Sequence, residues 1–436
     1  MASEDNKMEK IISLCKRRGF IYQGSEIYNG LAGTFDYGPL GVALKNNIKN
    51  LWWKRFVLDR EDMYGMDAAI LMNNRVWKAS GHVDGFSDPL VECKKCKKRF
   101  RADHLEDKKK CPECGGELGE EKQFNMMFKT NIGAMEDEAS VSYLRPETAQ
   151  GMFVNFKNIL DSFHPKLPFG MAQIGKAFRN EISPRDFIFR LRELEQMEIE
   201  YFVDPRNPQK VNEIFDGFFD EQVEFLKSLG LAESKIHKIE VPDSDRAHYS
   251  KRSVDTEFDF PFGQKELLGL AYRTDFDLEA HRKASGAELS YFDEETKERF
   301  VPHCIEPTFG VDRLVLAVIS DAYREDEMGE EKREYLALSK NMAPIRACVS
   351  PLLRNKPDLV AKAREVFMVL KKEFGNIAYD DNGNIGKRYR RQDEVGTPYC
   401  IVIDFDTLEN NTVTVRDRDT GEQKRVEIKS ISTEIA

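Results

Sequence analysis

Phe178-Arg179-Asn180-Glu181, with Arg190 a short loop later and Gly310-Val311-Asp312-Arg313 far downstream, is the stretch whose reading decides the fold. Residues 171–182 and 187–202 carry strand-like apolar positions on either side of the turn-forming Ser183-Pro184-Arg185-Asp186. That pattern predicts an antiparallel pair from which the arginines project. A guanidinium is always charged and grips oxygens in a planar fork. Held rigidly, it suits a phosphate on which charge builds during a displacement. Taken alone, Phe-Arg-x-Glu also describes a solvated Arg/Glu ladder on a sheet face, so the remainder of the chain has to decide.

At 436 residues, with 41% hydrophobic and 33% charged residues, the chain can bury a large core and divide into two or three domains. Its start, Met1-Ala2-Ser3-Glu4-Asp5-Asn6-Lys7, is polar, and no stretch approaches the roughly 18 apolar residues of a membrane span. A cytoplasmic protein with no membrane contact is expected. The net charge of −10 argues against a surface generally coated by nucleic acid, so RNA contact requires local basic clusters. The acidity lies in the first 340 residues; residues 341–436 are nearly charge-balanced and are the less repelling end.

Cys93-Lys94-Lys95-Cys96 and Cys111-Pro112-Glu113-Cys114 are two C-x2-C knuckles separated by fourteen residues, the spacing of a zinc ribbon. Four thiolates close a tetrahedron and leave no position for water, so such a zinc is structural and orders an insertion too small for its own core. Free thiols or two disulfides are the alternatives. Cys15, Cys304, Cys348 and Cys400 lack partner spacing and read as buried small hydrophobes.

A first helix is expected over residues 5–18 and a second after Gly38-Pro39, whose apolar set is wide enough to pack on two sides. Residues 211–229 form an amphipathic helix between sheet segments, and residues 311–322 are apolar on almost every face, a buried helix with Arg313 at its beginning. The charged run Glu325-Asp326-Glu327-Met328-Gly329-Glu330-Glu331-Lys332 suits a linker or exposed helix, with a domain boundary near Met342. Beyond it, strands at 345–350, 376–379, 399–405 and 412–416 and a helix from Pro357 to Gly375 indicate a small α/β domain.

Six runs in order carry a resemblance: Phe35-Asp36-Tyr37-Gly38-Pro39-Leu40-Gly41, Leu144-Arg145-Pro146-Glu147-Thr148-Ala149-Gln150-Gly151, Phe178-Arg179-Asn180-Glu181, Glu195-Gln196-Met197-Glu198, Tyr272-Arg273-Thr274-Asp275-Phe276-Asp277-Leu278 and Glu306-Pro307-Thr308-Phe309-Gly310-Val311-Asp312-Arg313. Along nearly its whole length the chain resembles class II aminoacyl-tRNA synthetases, and within them the homodimeric glycyl-tRNA synthetases. The resemblance implies an α+β catalytic domain over 1–340, built on an antiparallel sheet flanked by helices. It carries a zinc-binding insertion at 91–118 and a helical insertion at 205–255, and an anticodon-binding α/β domain follows over 341–436. The helix after Pro39 is then the dimer motif, and Gly386-Lys387-Arg388-Tyr389-Arg390-Arg391 becomes an RNA-facing basic cluster.

The implied activity attaches glycine to tRNA(Gly) through a glycyl-adenylate, with ATP and magnesium. No protein nucleophile is needed, because the amino acid's carboxylate attacks the α-phosphate and the protein supplies positioning and charge. By resemblance Arg179 takes the α-phosphate, Glu181 the adenine edge, Arg313 the γ-phosphate side, and Glu266 magnesium. Asn180, Phe189, Arg190, Leu191, Arg192, Glu193, Leu194, Leu267, Gly310, Val311 and Asp312 complete the ATP set. Glu147 and Glu306 match ammonium-binding carboxylates, and Arg101 a substrate-contacting arginine. Leu194, Glu195, Gln196, Met197, Glu198, Pro307, Thr308, Phe309 and Gly310 complete the glycine set.

Two positions depart from the family. Leu194 stands where Phe is usual and stacks on adenine, so the π face is lost. Thr308 stands where Ser is usual, and its methyl crowds the wall against the glycine Cα. The competing readings are a class II synthetase for another small amino acid and a non-catalytic paralogue serving as a nucleic-acid-binding accessory subunit. The paralogue would have lost Arg179, Glu181, Glu266 and Arg313, all present here.

Overall fold

In the computed structural model, which describes residues 2–134, 140–247, 249–328 and 331–436, the two runs around the Arg179 loop are central strands of one large sheet. Its seven strands run in the order Ile236–Glu240, Arg252–Phe260, Gly263–Thr274, His303–Gly310, Glu193–Val203, Phe169–Phe178 and Met63–Gly65. All neighbours are antiparallel except the last pair. Period-two alternation gives the sheet two different faces. Met197, Ile199, Tyr201, Leu268, Leu270, Ile305 and Phe309 point into a core closed by the helices Pro39–Trp53, Pro208–Ser228 and Val311–Ala322.

The opposite face is polar in its middle. Register aligns Asp255, Gly269, Thr308, Glu198 and Gln173 in one row across five strands. At one end this face turns apolar, and the helix Ala149–Phe163 lays Met152, Phe153 and Phe156 on Phe169, Met171 and Phe202. Arg145 fixes the approach to that helix: its guanidinium donates to the carbonyls of Lys176 (2.6 Å) and Ala68 (2.7 Å). It crosses Gly175, where a Cβ would collide with it. Thr148 and Glu147, just ahead of the helix, are thereby brought over the polar face.

Residues 87–125 form a three-stranded sheet, order Arg99–Arg101, Ser87–Glu92, Lys122–Asn125. The C-terminal residues form a separate five-stranded sheet, order Ile377–Tyr379, Ala347–Pro351, Tyr399–Ile403, Thr412–Asp417, Gln423–Glu427. It has its own core of Val349, Leu359, Val366, Leu370, Ile401 and Val413. Among the described residues no helix is long and apolar enough to cross a membrane.

Four expectations are corrected. The chain leaves the sheet at Phe178 and re-enters at Glu193, so the arginines sit on the joining loop and not on the strands. The charged run forms a hairpin, Tyr323–Met328 with Glu331–Leu336, in which Asp326 faces Arg333 and Glu327 faces Lys332; Gly329 and Glu330 lie outside the described residues. Residues 205–255 contain one helix, Pro208–Ser228, but their second half supplies Ile236–Glu240 and the start of Arg252–Phe260 to the large sheet.

The fourth concerns the basic run in the helix Ile385–Glu394, only part of which faces outward. Arg388 is buried against the carbonyls of Pro351, Asp381 and Gly383. Arg391 pairs with Asp380 at 2.7 Å, and Arg390 reaches Lys332 O across to the hairpin. Arg388 and Arg391 join structural elements, while Lys387 and Arg390 are exposed.

Candidate active site

The loop from Arg179 to Arg192 keeps its shape by lending its backbone to three neighbours. Arg179 N donates to Arg192 O (2.9 Å), Asn180 N to Met126 O (2.7 Å) and Arg192 N to Gly33 O (2.8 Å). The Arg179 side chain is aimed by one bond, Nε to Pro146 O at 3.0 Å, and lies 5.6 Å over the Phe86 ring. Arg313, on the first turn of the buried helix, meets it from the other side. Its Nη1 donates to Glu266 O (3.1 Å) and pairs with Glu266 Oε2 (3.2 Å), while its guanidinium lies 4.5 Å over the Phe189 ring.

Two adjoining clefts share Arg179, Gln196, Glu266, Gly269 and Thr308. The first, of about 270 Å³, is walled by Arg101, Glu181, Phe189, Arg190, Leu191, Leu194, Leu267, Gly310 and Arg313. Among the buried side-chain atoms there without a partner are an acceptor and a donor that face opposite needs, Glu181 Oε2 and Arg190 Nη1. Unpaired buried polar groups are costly, so this pair indicates a place prepared for a ligand with both donors and acceptors. Burial raises the Glu181 carboxyl above its usual range against the pull of Arg190 and Arg179.

The second cleft, of about 220 Å³, is acidic, with Glu147, Glu198, Glu306, Asp255 and Tyr249 on its wall. Glu198 accepts from Thr148 Oγ1, Thr308 Oγ1 (3.1 Å) and Gln196 Nε2 (3.3 Å). Arg273 donates to Glu306 Oε1 at 2.7 Å and holds Asp277 with Nε and Nη2 at 2.8 and 2.9 Å. Burial alone would raise the Glu147 carboxyl, but His82, 3.3 Å away, and Gln150 hold it well below the usual range. Burial pushes Glu306 up to about 8 even beside Arg273, and raises Glu198.

Several expected site residues lie elsewhere. Met197, Phe309 and Val311 turn their side chains into the core, so only their backbone could meet a ligand. Pro307 is buried between neighbouring strands. Asn180 and Arg192 border a different groove beside the three-stranded sheet, and Glu193 is exposed and pairs with Lys176 at 3.0 Å. Glu195 and Asp312 reach the first cleft, but their carboxylates are taken by Lys45, Lys49 and Tyr37. Those bonds tie the helix Pro39–Trp53 to the start of Val311–Ala322. Arg101 does face the cleft, held by Asp88 (2.7 Å) and Asp103 (2.7 Å).

Sequence reading missed His82, Arg273 as a site cation, Asp255 and Gly269. Gly269 was legible in principle: it interrupts an apolar strand, a sign of close backbone approach. A Cβ there meets nothing within 4 Å, so the space it leaves belongs to the clefts. Phe189 is an aromatic residue on the wall of the same cleft as Leu194, with Arg313 over one face of its ring.

The four cysteines converge with Cys93 Sγ to Cys114 Sγ at 3.6 Å and Cys96 Sγ to Cys111 Sγ at 3.7 Å. Zinc-sulfur bonds of about 2.3 Å in a tetrahedron require sulfur edges of about 3.8 Å. Disulfide bonds need about 2.05 Å, so the disulfide alternative fails and the donor set fits zinc. All eight cysteines are free.

Comparison with known proteins agrees with this geometry. Residues 128–322 match the tRNA synthetase class II core domain (G, H, P, S and T), and residues 346–436 match the anticodon binding domain. The glycine-tRNA ligase of Thermobifida fusca is 47% identical, covering 100% of this chain and 99% of the relative. Those of Clostridium tetani and Treponema denticola are 50% and 49% identical, covering 97% and 99% of this chain and 96% and 98% of the relatives. The chain belongs to the glycine-tRNA ligase family. Charging of tRNA with glycine by a class II core is therefore its activity, and the reading as a synthetase for another amino acid is set aside. ATP is a substrate of this family, and a C-terminal anticodon-binding domain accompanies the core.

Proposed function

We propose that the two clefts receive ATP and glycine side by side, with Arg179 at their junction. The observation carrying this reading is that, among the described residues, Arg179 alone of the cationic side chains borders both clefts. Glycine would place its ammonium among Glu147, Glu198 and Glu306 and its carboxylate toward Arg179. The nucleotide would supply the partners that Glu181 Oε2 and Arg190 Nη1 lack, with its phosphates running toward Arg313. A carboxylate oxygen then attacks the α-phosphorus, pyrophosphate leaves, and Arg179 stabilises charge on the transferring group. In the second step the terminal ribose hydroxyl of tRNA(Gly) attacks the acyl carbon and AMP leaves.

Glu266 and Asp255, on adjacent strands, offer the hard oxygen donors that magnesium takes beside phosphates. Its charge would offset that of the departing pyrophosphate. Thr308, held to Glu198, would wall the pocket near the glycine Cα, where a rigid surface rejects an added methylene by repulsion.

Residues 1–340 would form the catalytic domain, with 91–118 as a zinc-ordered insertion that carries Arg101 to the cleft, and 341–436 would bind the anticodon. A cytoplasmic location is proposed, and a homodimer on the exposed apolar side chains Ile27 (89% exposed), Tyr28 (78%), Leu31 and Val42, the last on the helix Pro39–Trp53. Pyrophosphate exchange with each of the twenty amino acids tests the whole reading. Exchange with glycine alone is expected, and exchange with alanine or serine at comparable rates would refute the pocket assignment.

A further inference from the structure

Glu200 takes no part in the roles above, yet it sits beneath the ammonium pocket. It is fully buried; its Oε2 accepts from Cys304 Sγ at 2.9 Å and its Oε1 has no partner. The register pairs Glu198 with Thr308 and Tyr201 with Ile305, which places Glu200 directly across from Glu306. Carboxylate oxygens of Glu198, Glu200 and Glu306 lie within 4.8 Å of one another. On its other side Glu200 is paired with Met171, and the apolar cluster of Phe169 and Phe202 begins there.

The surrounding charges do not balance this set. Arg273, at the end of the strand Gly263–Thr274, is among the described residues the one cation touching it, and it is shared with Asp277. His82 is spent on Glu147, and His281 meets Gln150. Tyr249 lies under the Arg273 guanidinium at 4.0 Å, and Cys304 offers only its thiol. Two buried acids facing each other across a strand pair cannot both be ionised.

We infer that the empty pocket stores a proton shared by Glu200 and Glu306, and that the glycine ammonium expels it on binding. This rests on the reading of the second cleft as the ammonium site. The substrate's charge is exchanged for the proton, so the pocket is free of uncompensated anions both empty and filled. Burial raises both carboxyls, Glu200 well above the usual range. The protons come off as a property of the set. Binding that releases a proton strengthens as pH rises, by up to about tenfold per pH unit for one proton.

Titration calorimetry of the full chain with glycyl-sulfamoyl-adenosine, in phosphate and in Tris near neutral pH, counts the protons. The glycolyl analogue, with a hydroxyl in place of the ammonium, is the control. Release of about half to one proton is expected for the glycyl ligand and none for the glycolyl ligand, with release falling toward zero in Glu200→Gln. Preference for the glycyl ligand without buffer dependence overturns the proton store and leaves the ammonium pocket standing; equal binding of both ligands overturns both. Undiminished release from a folded Glu200→Gln variant overturns the part given to Glu200. Should that variant not fold, Cys304→Ala withdraws the thiol from the ionised carboxyl and shifts the pH at which glycyl-ligand affinity breaks upward; an unmoved break overturns the assignment.

Discussion

The Arg313 guanidinium lies 4.5 Å over the Phe189 ring on the wall of the first cleft. That contact covers one face of the only aromatic side chain bordering this cleft among the described residues. The ring is held edge-on by Phe260 and Phe262, each at 5.3 Å. Phe189→Leu should therefore weaken ATP by about 0.5–1.5 kcal/mol, roughly threefold to tenfold. Leu194→Phe should bring no such gain, because the cleft already has its aromatic face. ATP titrations with thermal melts of both variants check this; a tighter Leu194→Phe would return the stacking role to position 194.

Gly269 borders both clefts with empty space where its Cβ would be. Gly269→Val should leave the melting temperature within a few degrees of wild type, since valine suits a strand. Turnover should fall by about a hundredfold or more from misplacing the reacting groups. Normal activity in the folded variant would show that the ligands lie elsewhere.

The zinc site should be structural. Metal analysis of protein purified under reducing conditions is expected to find one zinc per chain. Chelation should increase hydrogen exchange across residues 91–118 and weaken activity through Arg101, while the large sheet stays protected. Metal-free protein with undisturbed exchange in that segment would contradict this.

The sheet's helices were readable because their patterns are dense. Residues 311–322 are apolar on every side and follow Gly310, and the observed helix is Val311–Ala322. The Arg179 loop was misread because Ser183-Pro184-Arg185-Asp186 has hairpin-turn composition. What ends the strand is remote: the carbonyls of Arg145 and Met126 accept from the Phe178 and Asn180 amides. The 325–334 run hid its period of two because both faces are charged, and its pairing shows only when Asp326 meets Arg333 at 2.6 Å. Glu181, Arg190 and Arg313 were legible as motif residues. His82 and Glu200 were not, and Arg273 was legible as a motif residue but not as a site cation, since each acquires its role from partners in distant segments.

His82 holds Glu147 in its ionised form against burial. A carboxyl depressed by folding contributes stability that is fully present above its unfolded value and lost as pH falls through the folded one. His82→Ala should shrink that contribution and leave a buried carboxylate short of a partner, costing about 1–3 kcal/mol at neutral pH and less in acid, where Glu147 protonates. Glycine KM should rise with it. Melts of both proteins across the acid range, with glycine-dependent exchange rates, test this; a constant difference at every pH would show that the loss is packing alone.

Pyrophosphate exchange by Arg179→Ala tests the central claim most directly, because Arg179 borders both clefts and its removal costs the protein only one bond to Pro146 O. The variant should fold and melt near wild type, with glycine-dependent exchange down by about a hundredfold to a thousandfold, the loss of about 3–4 kcal/mol of transition-state stabilisation. A folded variant exchanging pyrophosphate at nearly the wild-type rate would contradict the account.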